Sequence, residues 1–127
     1  MSRYQEGAGF KVWPGLFHVT RVNNSGAAFG LFQGNTPALT LISLVCVAGL
    51  AVVLIRDLFL KFESTRYYAF SFVAAGAAGN LYDRAFYGYV VDFLDFRIWP
   101  VFNVADSFIC MGIFLMIVSL FKPVKFS

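Results

Sequence analysis

Residues 37–55 read PALTLISLVCVAGLAVVLI, and no side chain in this stretch carries a charge. The uncharged run is longer still, because no Asp, Glu, Lys or Arg occurs between Arg21 and Arg56. A helix needs about 20 predominantly apolar residues to cross the hydrocarbon core of a bilayer. The stretch therefore predicts a membrane-spanning helix over Pro37–Leu58.

Two further uncharged runs follow the first. Tyr67–Tyr82 is short, but Arg66 and Arg84 at its ends can extend their charged heads to the membrane surface. Asn103–Phe121 carries one charge, Asp106, near its start. We therefore expect three transmembrane helices, at about residues 37–58, 66–84 and 103–121.

The composition excludes most soluble proteins. Hydrophobic residues make up 59% of the 127 residues and charged residues 13%, and the mean hydropathy is +0.71. A soluble domain carries about 25% charged residues. The net charge of +3 is spread along the chain, so no basic stripe indicates a nucleic-acid partner. The sequence predicts one mainly α-helical, integral membrane domain over residues 1–127.

Neither a cofactor nor a metal ion is expected. His18 is the single histidine, and Cys46 and Cys110 both lie in apolar runs, so no set of ligands has metal-site spacing. No glycine-rich phosphate loop follows a predicted strand.

The segments outside the spans have an expected side and an expected structure. Basic residues crowd the loop between the first two spans and follow the third, which by the positive-inside rule is cytoplasmic. Residues 1–36 and 84–102 are then extracytoplasmic. Phe17–Phe32 and Tyr89–Phe96 are rich in strand-forming residues, with a turn signal at Asn24–Gly26. They predict a small β-sheet, or cradle, on the membrane surface. The basic residues are Arg56, Lys61, Arg66, Lys122 and Lys125.

Four of the seven acidic residues fall within 24 positions at one end of the predicted spans. A charge near a membrane span is costly unless it is paired, hydrated or used. Asn103 is a good N-cap residue, which would place Asp106 at the third position of the third helix, where the helix dipole favours a carboxylate. Asp92 lies between apolar neighbours, where burial of a carboxylate is expensive. The four residues are Asp83, Asp92, Asp95 and Asp106.

A pair of close carboxylates at a partly dry interface has a defined chemistry. One carboxylate retains a proton while the other stays anionic, as in aspartic proteases. The anion can take a proton from water and the acid can hydrogen-bond a scissile carbonyl, which is general acid–base hydrolysis of a peptide bond. The sequence offers no recognisable Ser, Cys or metal alternative. From the residues alone, the expectation is a membrane protein with a carboxylate pair.

At these same residues the chain resembles lipoprotein signal peptidase, also called signal peptidase II. Three blocks in order carry the resemblance, which covers roughly residues 16–121: NSGAAF at 24–29, GNLYDR at 79–84 running on to VVDF at 90–93, and FNVADS at 102–107. The resemblance implies a bacterial aspartyl endopeptidase that cleaves before the diacylglyceryl-modified cysteine of prolipoproteins. The resemblance further implies a multi-pass protein of the cytoplasmic (inner) membrane, whose active site lies at the extracytoplasmic face.

The resemblance also implies roles for individual residues. Asp92 and Asp106 match the catalytic dyad. Asp83 fits a supporting role through pairing with an arginine. The remaining matches position the substrate or support the dyad: Asn24, Gly26, Asn80, Arg84 and Asn103.

The expected partners are a lipidated prolipoprotein and membrane lipid, and the protein is expected to be a monomer. The family has four spans, the first with a D-Q-x-x-K pattern, whereas Met1–Gly15 stands at that place here. Two alternatives therefore stay open. One is a truncated, non-catalytic membrane fragment of the same family, and the other is a small transporter subunit with intramembrane acids.

Overall fold

A computed structural model describes residues 7–26, 32–60 and 64–122. Within them the chain forms β1 (Gly9–Trp13), β2 (Phe17–Asn24), α1 (Thr36–Leu60), α2 (Ser64–Tyr87), β3 (Val90–Asp95) and α3 (Val104–Leu120). The prediction of a mainly helical protein with a small sheet is confirmed. Residues 27–29 of the first sequence block, Lys61 and Lys125 lie outside the described residues.

The helices follow the uncharged runs of the sequence. The middle helix, α2, packs against both α1 and α3. Its 24 residues end at Tyr87, three residues beyond the expected limit, because Gly88 adopts a φ of +78° and its N–H closes the last turn on the carbonyl of Arg84. The Thr36 hydroxyl donates to the Gly88 carbonyl at 2.9 Å, so the start of α1 is fastened to the end of α2.

Among the described residues, α1 alone is both long and apolar enough to cross a bilayer by itself. Its 25 residues extend about 37 Å, against a hydrocarbon thickness of about 30 Å. The apolar helix α3 has 17 residues and is shorter.

The three strands form one antiparallel sheet in the order β1–β2–β3. Strands β2 and β3 lie within the two segments expected to form a sheet, whereas β1 was not expected from the sequence. All five residues of β1 are exposed, so they lack the alternation of buried and exposed positions that makes a strand recognisable. The sheet lies at the end of the helices where α1 and α3 begin and α2 ends.

Burial in this fold is inverted relative to a soluble protein. In the described part of the chain, only three hydrophobic side chains are buried, whereas five polar or charged side chains are buried. Long apolar side chains on all three helices are exposed. Exposed apolar helix faces are what a lipid environment requires. The buried polar residues are Asp57, Asn80, Asp92, Asp95 and Asn103.

Candidate active site

Four elements bring polar side chains together at the sheet end of the helices. Strand β2 contributes Asn24 at its last position, and β3 contributes Asp92 at its third. The last turns of α2 contribute Asn80 and Arg84, and Asn103 and Asp106 lie at the start of α3. Every site residue expected from the sequence therefore lies in or beside one cluster.

The start of α3 fixes Asp106 through a capping box. The Asn103 side chain accepts the N–H of Asp106 at 2.9 Å, and the Asp106 Oδ2 accepts the N–H of Asn103 at 3.1 Å. Both bonds satisfy N–H groups that a helix start leaves without partners. The position of Asp106 at the third residue of the helix, inferred from the Asn103 cap, is confirmed.

Asp92 is held on β3 by two amide groups. It is 4% exposed. The Nδ2 of Asn24 donates to its Oδ2 at 3.2 Å, and the Nδ2 of Asn103 donates to its Oδ1 at 3.1 Å. Because Asn24 ends the neighbouring strand, pairing of β2 with β3 brings this donor to the carboxylate.

Burial raises the pKa of Asp92 to about 6. The hydrogen bond from Asn24, the charge of Arg84 and the hydrogen bond from Asn103 favour the ionised form, while the negative charge of Asp106 adds to the effect of burial. The carboxyl group is therefore ready to hold a proton near neutral pH, which an exposed aspartate is not.

Two asparagines connect the carboxylates. Asn80 donates from Nδ2 to the Oδ1 of Asp106 at 3.0 Å, and its own Oδ1 accepts the Nδ2 of Asn103 at 3.0 Å. Since Asn103 also donates to Asp92, the chain of bonds Asp106–Asn80–Asn103–Asp92 is continuous. All three buried members have their polar groups engaged, as a stable buried network requires.

Arg84 supplies the positive charge of the site. Its guanidinium donates to the Ser43 hydroxyl at 3.1 Å and to the Gly26 carbonyl at 3.4 Å, and it acts electrostatically on both Asp92 and Asp106. Ser43 was not expected from the sequence. Its only signal there is a small polar residue within an apolar run.

Two residues of the expected set shape the backbone around the cluster. The N–H of Gly26 donates to the Asn24 Oδ1 at 2.9 Å, which orients the Asn24 amide group toward Asp92. The negative charge of Asp83 acts on the neighbouring Arg84 guanidinium, and the Asp83 Oδ2 accepts the N–H of Val91 at 3.2 Å. That bond links the last turns of α2 to the residue before Asp92.

A groove of about 600 Å³ lies beside the cluster between α1 and α2. Arg84 contributes to its wall, and most of the other lining is apolar or hydroxylic. The groove has room for an apolar group next to the charged site. Its lining includes Thr36, Thr40, Leu41 and Leu44.

The sequence profile of signal peptidase (SPase) II matches residues 1–122. The chain belongs to the signal peptidase II family. It is 45% identical over 121 residues to the lipoprotein signal peptidase of Gloeothece citriformis, covering 90% of this chain and 71% of that protein. It is also 45% identical over 120 residues to the lipoprotein signal peptidase of Microcystis aeruginosa, covering 92% and 76%.

The fold agrees with this membership. A bacterial membrane enzyme solved at 2.3 Å resolution superposes with a TM-score of 0.80 at 32% identity, covering 98% of this chain and 82% of that one. The resemblance inferred from the three sequence blocks is confirmed at the level of the family. Signal peptidases II are proteases that process lipoprotein precursors, and this chain is a membrane protein of that family.

Proposed function

We propose that this protein is an aspartic endopeptidase embedded in the bacterial inner membrane. It removes the signal peptide from diacylglyceryl-modified prolipoproteins by cleaving before the lipidated cysteine. Asp92 and Asp106 form its catalytic dyad. The observation that supports the proposal best is the continuous hydrogen-bond chain that joins these two carboxylates at the ends of apolar helices.

The two carboxylates take different parts in the reaction. Asp92, which is buried and has a pKa of about 6, carries the larger share of the common proton and donates a hydrogen bond to the scissile carbonyl oxygen. Asp106, which is half-buried, is the anion that removes a proton from the attacking water. Because the negative charge of Asp106 raises the pKa of Asp92, the two carboxylates act as a coupled pair.

The step balances as hydrolysis. The water oxygen bonds to the carbonyl carbon while one of its protons passes to Asp106. Asp92 transfers its proton toward the carbonyl oxygen, giving a tetrahedral intermediate. The carbon–nitrogen bond then breaks as Asp106 returns a proton to the leaving amine of the lipidated cysteine, and Asp92 regains its own from the collapsing hydroxyl. No covalent enzyme intermediate forms.

The remaining residues of the site hold substrate and dyad in register. Arg84, on the wall of the groove, offers a guanidinium to peptide carbonyls, and Asn24, Asn80 and Asn103 fix the carboxylates. The groove beside Arg84 suits an acyl chain, whose burial contributes about 0.8 kcal/mol per CH₂.

The proposed topology has three spans, formed by α1, α2 and α3, with the sheet and the dyad outside the cytoplasm and the protein acting as a monomer. The positive-inside rule agrees with this orientation, because basic residues lie at the helix ends away from the sheet: Arg56 near the end of α1, Arg66 near the start of α2 and Lys122 after α3. An accessibility assay on single cysteines introduced at the exposed Lys11 of β1 and at Lys122 tests this arrangement. Labelling of both positions from the same side would contradict it.

The activity test uses a synthetic diacylglyceryl-modified precursor with a matched unlipidated control. Asp92→Asn and Asp106→Asn should each lower kcat/KM by about 10²–10⁴-fold, while the variants remain inserted. Cleavage at the unchanged rate by both variants contradicts the dyad. A wild-type chain that binds the precursor and does not cut it supports the alternative of a non-catalytic fragment. The transporter alternative loses its basis with the family membership.

A further inference from the structure

One end of the sheet presents a group of exposed apolar side chains. Trp13 and Leu16 border the turn between β1 and β2, while Ile98 and Trp99 follow β3. We call these four residues the sheet tip. Ile98 is 92% exposed and the two tryptophans are more than half exposed. Single exposed apolar side chains are ordinary, but a cluster of them marks a surface that contacts something apolar.

The two halves of the sheet tip belong to one surface. In the strand register Trp13 is opposite Phe17, the first residue of β2. The ring of Phe17 packs against that of Phe96, the residue after β3, at an interplanar angle of 33° and with centroids 4.8 Å apart. The Phe96 ring in turn stacks on Phe102, with centroids 5.9 Å apart. Aromatic packing beneath therefore joins the β1–β2 turn to the segment that carries Ile98 and Trp99.

Asp95 holds that segment in a strained conformation. Its carboxylate, 5% exposed, accepts the Thr20 hydroxyl at 3.1 Å and both the N–H and the guanidinium of Arg97 at 2.9 Å. Arg97 has a φ of +67°, which a non-glycine residue adopts only when its surroundings impose it. The next residue, Ile98, is thereby turned outward. Hydrogen bonds from Arg97 and Thr20 keep the pKa of Asp95 below its usual range in spite of burial.

The composition of the sheet tip favours a bilayer surface as its occupant. It contains both tryptophans of the chain, and tryptophan concentrates at the boundary between headgroups and acyl chains. Exposed Lys11 lies next to it on β1, and its charge complements lipid phosphates. Strand β3 begins two residues after Gly88, whose carbonyl accepts the Thr36 hydroxyl at the start of α1, so the sheet lies close to one end of the helix that is long enough to span.

We propose that the sheet tip inserts into the headgroup boundary of the leaflet at the active-site end of the helices. Asp95 acts as the positioning residue that keeps Ile98 and Trp99 turned toward the lipid. Because β3 carries both Asp92 and Asp95, the insertion sets the height of the dyad relative to the bilayer surface. The inference rests on the membrane-spanning part of the proposed function and not on proteolysis.

The test is tryptophan fluorescence of the full chain in phosphatidylcholine–phosphatidylglycerol vesicles without precursor. Trp13→Phe leaves Trp99 as the single reporter, and Trp99→Phe leaves Trp13. Lipids brominated near the headgroup should quench both reporters several-fold more than lipids brominated near the chain end. Phe114→Trp in the doubly substituted background is the matched control, since Phe114 is exposed midway along α3 and should show the opposite depth order.

Two further measurements complete the test. Asp95→Asn in the Trp13→Phe background should abolish most of the bromine quenching of Trp99, whereas Asp92→Asn should leave it unchanged although the enzyme is inactive. Quenching of both tryptophans by aqueous iodide and not by brominated lipid overturns the proposal. A blue shift of the tryptophan emission that needs no lipid and occurs only when a precursor peptide is added also overturns the proposal, because the sheet tip then binds polypeptide and not lipid.

Discussion

The side chain of Asn103 caps α3 and also donates to Asp92, and different substitutions remove one or both of these interactions. Its side-chain oxygen caps α3 by accepting the N–H of Asp106, while its Nδ2 donates to Asp92 and to Asn80. Asn103→Ser keeps an oxygen able to cap the helix but removes the amide donor. Asn103→Ala removes both, so the two variants form a matched pair.

The expected size of the effect comes from the bond between Asn103 and Asp92. A hydrogen bond to a charged group contributes about 1.5–3 kcal/mol, and one pKa unit corresponds to about 1.4 kcal/mol. Since this bond favours ionised Asp92, its loss should raise the pKa of Asp92 from about 6 by about 1–2 units. Asn103→Ala should in addition lose about 1 kcal/mol of stability with the cap.

The assay is the pH dependence of kcat/KM for a lipidated precursor, with thermal unfolding measured in parallel. Activity declines at high pH as the dyad loses its common proton, so a higher pKa should move this decline upward by the same 1–2 units or so in both variants. Only Asn103→Ala should also unfold at a distinctly lower temperature. A wild-type pH profile in Asn103→Ser, with reduced activity at every pH, would refute the role assigned to this bond.

Two other predictions follow from burial and from close packing. Folding raises the pKa of Asp92 from 3.8 to about 6, so stability is greatest below 3.8 and declines as the pH rises through 6, a loss of about 3 kcal/mol at neutral pH. Asp92→Asn removes this penalty but also loses one hydrogen bond, which contributes about 1 kcal/mol, so it should stabilise the inactive protein by about 2 kcal/mol at neutral pH. Unfolding measured at neutral and at acidic pH should show this gain in stability only at neutral pH. Equal effects at both pH values contradict it. Gly112→Ala should destabilise by about 1–3 kcal/mol, because the new Cβ would lie 2.6 Å from the Ala69 carbonyl oxygen on α2. Gly49→Ala, where nothing lies within 4 Å, is the control, and an unfolding midpoint equal to that of Gly112→Ala would show that the close approach of α2 and α3 is not needed.

The sequence predicted the parts of the fold that depend on local patterns. Absence of charge located the three helices, and the Asn103 cap located Asp106 within the first turn of α3. The end of α2 was missed by three residues, since Gly88 rather than the charge of Arg84 terminates that helix. Strand β1 was missed because it pairs only at one side and buries none of its residues.

The contacts within the site depend on tertiary structure and could not be predicted from spacing. The bond from Asn24 to Asp92 requires the pairing of β2 with β3, whose register shifts between Val19 and Val22. The bond from Asn80 to Asn103 requires α2 to lie close to α3, which Gly76 permits because a Cβ there would meet the Ala105 carbonyl oxygen. The sequence resemblance predicted which residues belong to the site, but it did not predict the hydrogen bonds between them.

In the proposed mechanism Asp92 and Asp106 share a proton, and isotope-edited infrared titration of the aspartate carboxyl groups in the reconstituted protein observes this proton. We expect a protonated carboxyl signal that disappears with an apparent pKa near 6 and is absent in Asp92→Asn. In Asp106→Asn the same signal should titrate at a lower pH, because the charge of Asp106 raises the pKa of Asp92. An identical titration in the wild type and in Asp106→Asn would show that the two carboxylates are independent and do not share a proton.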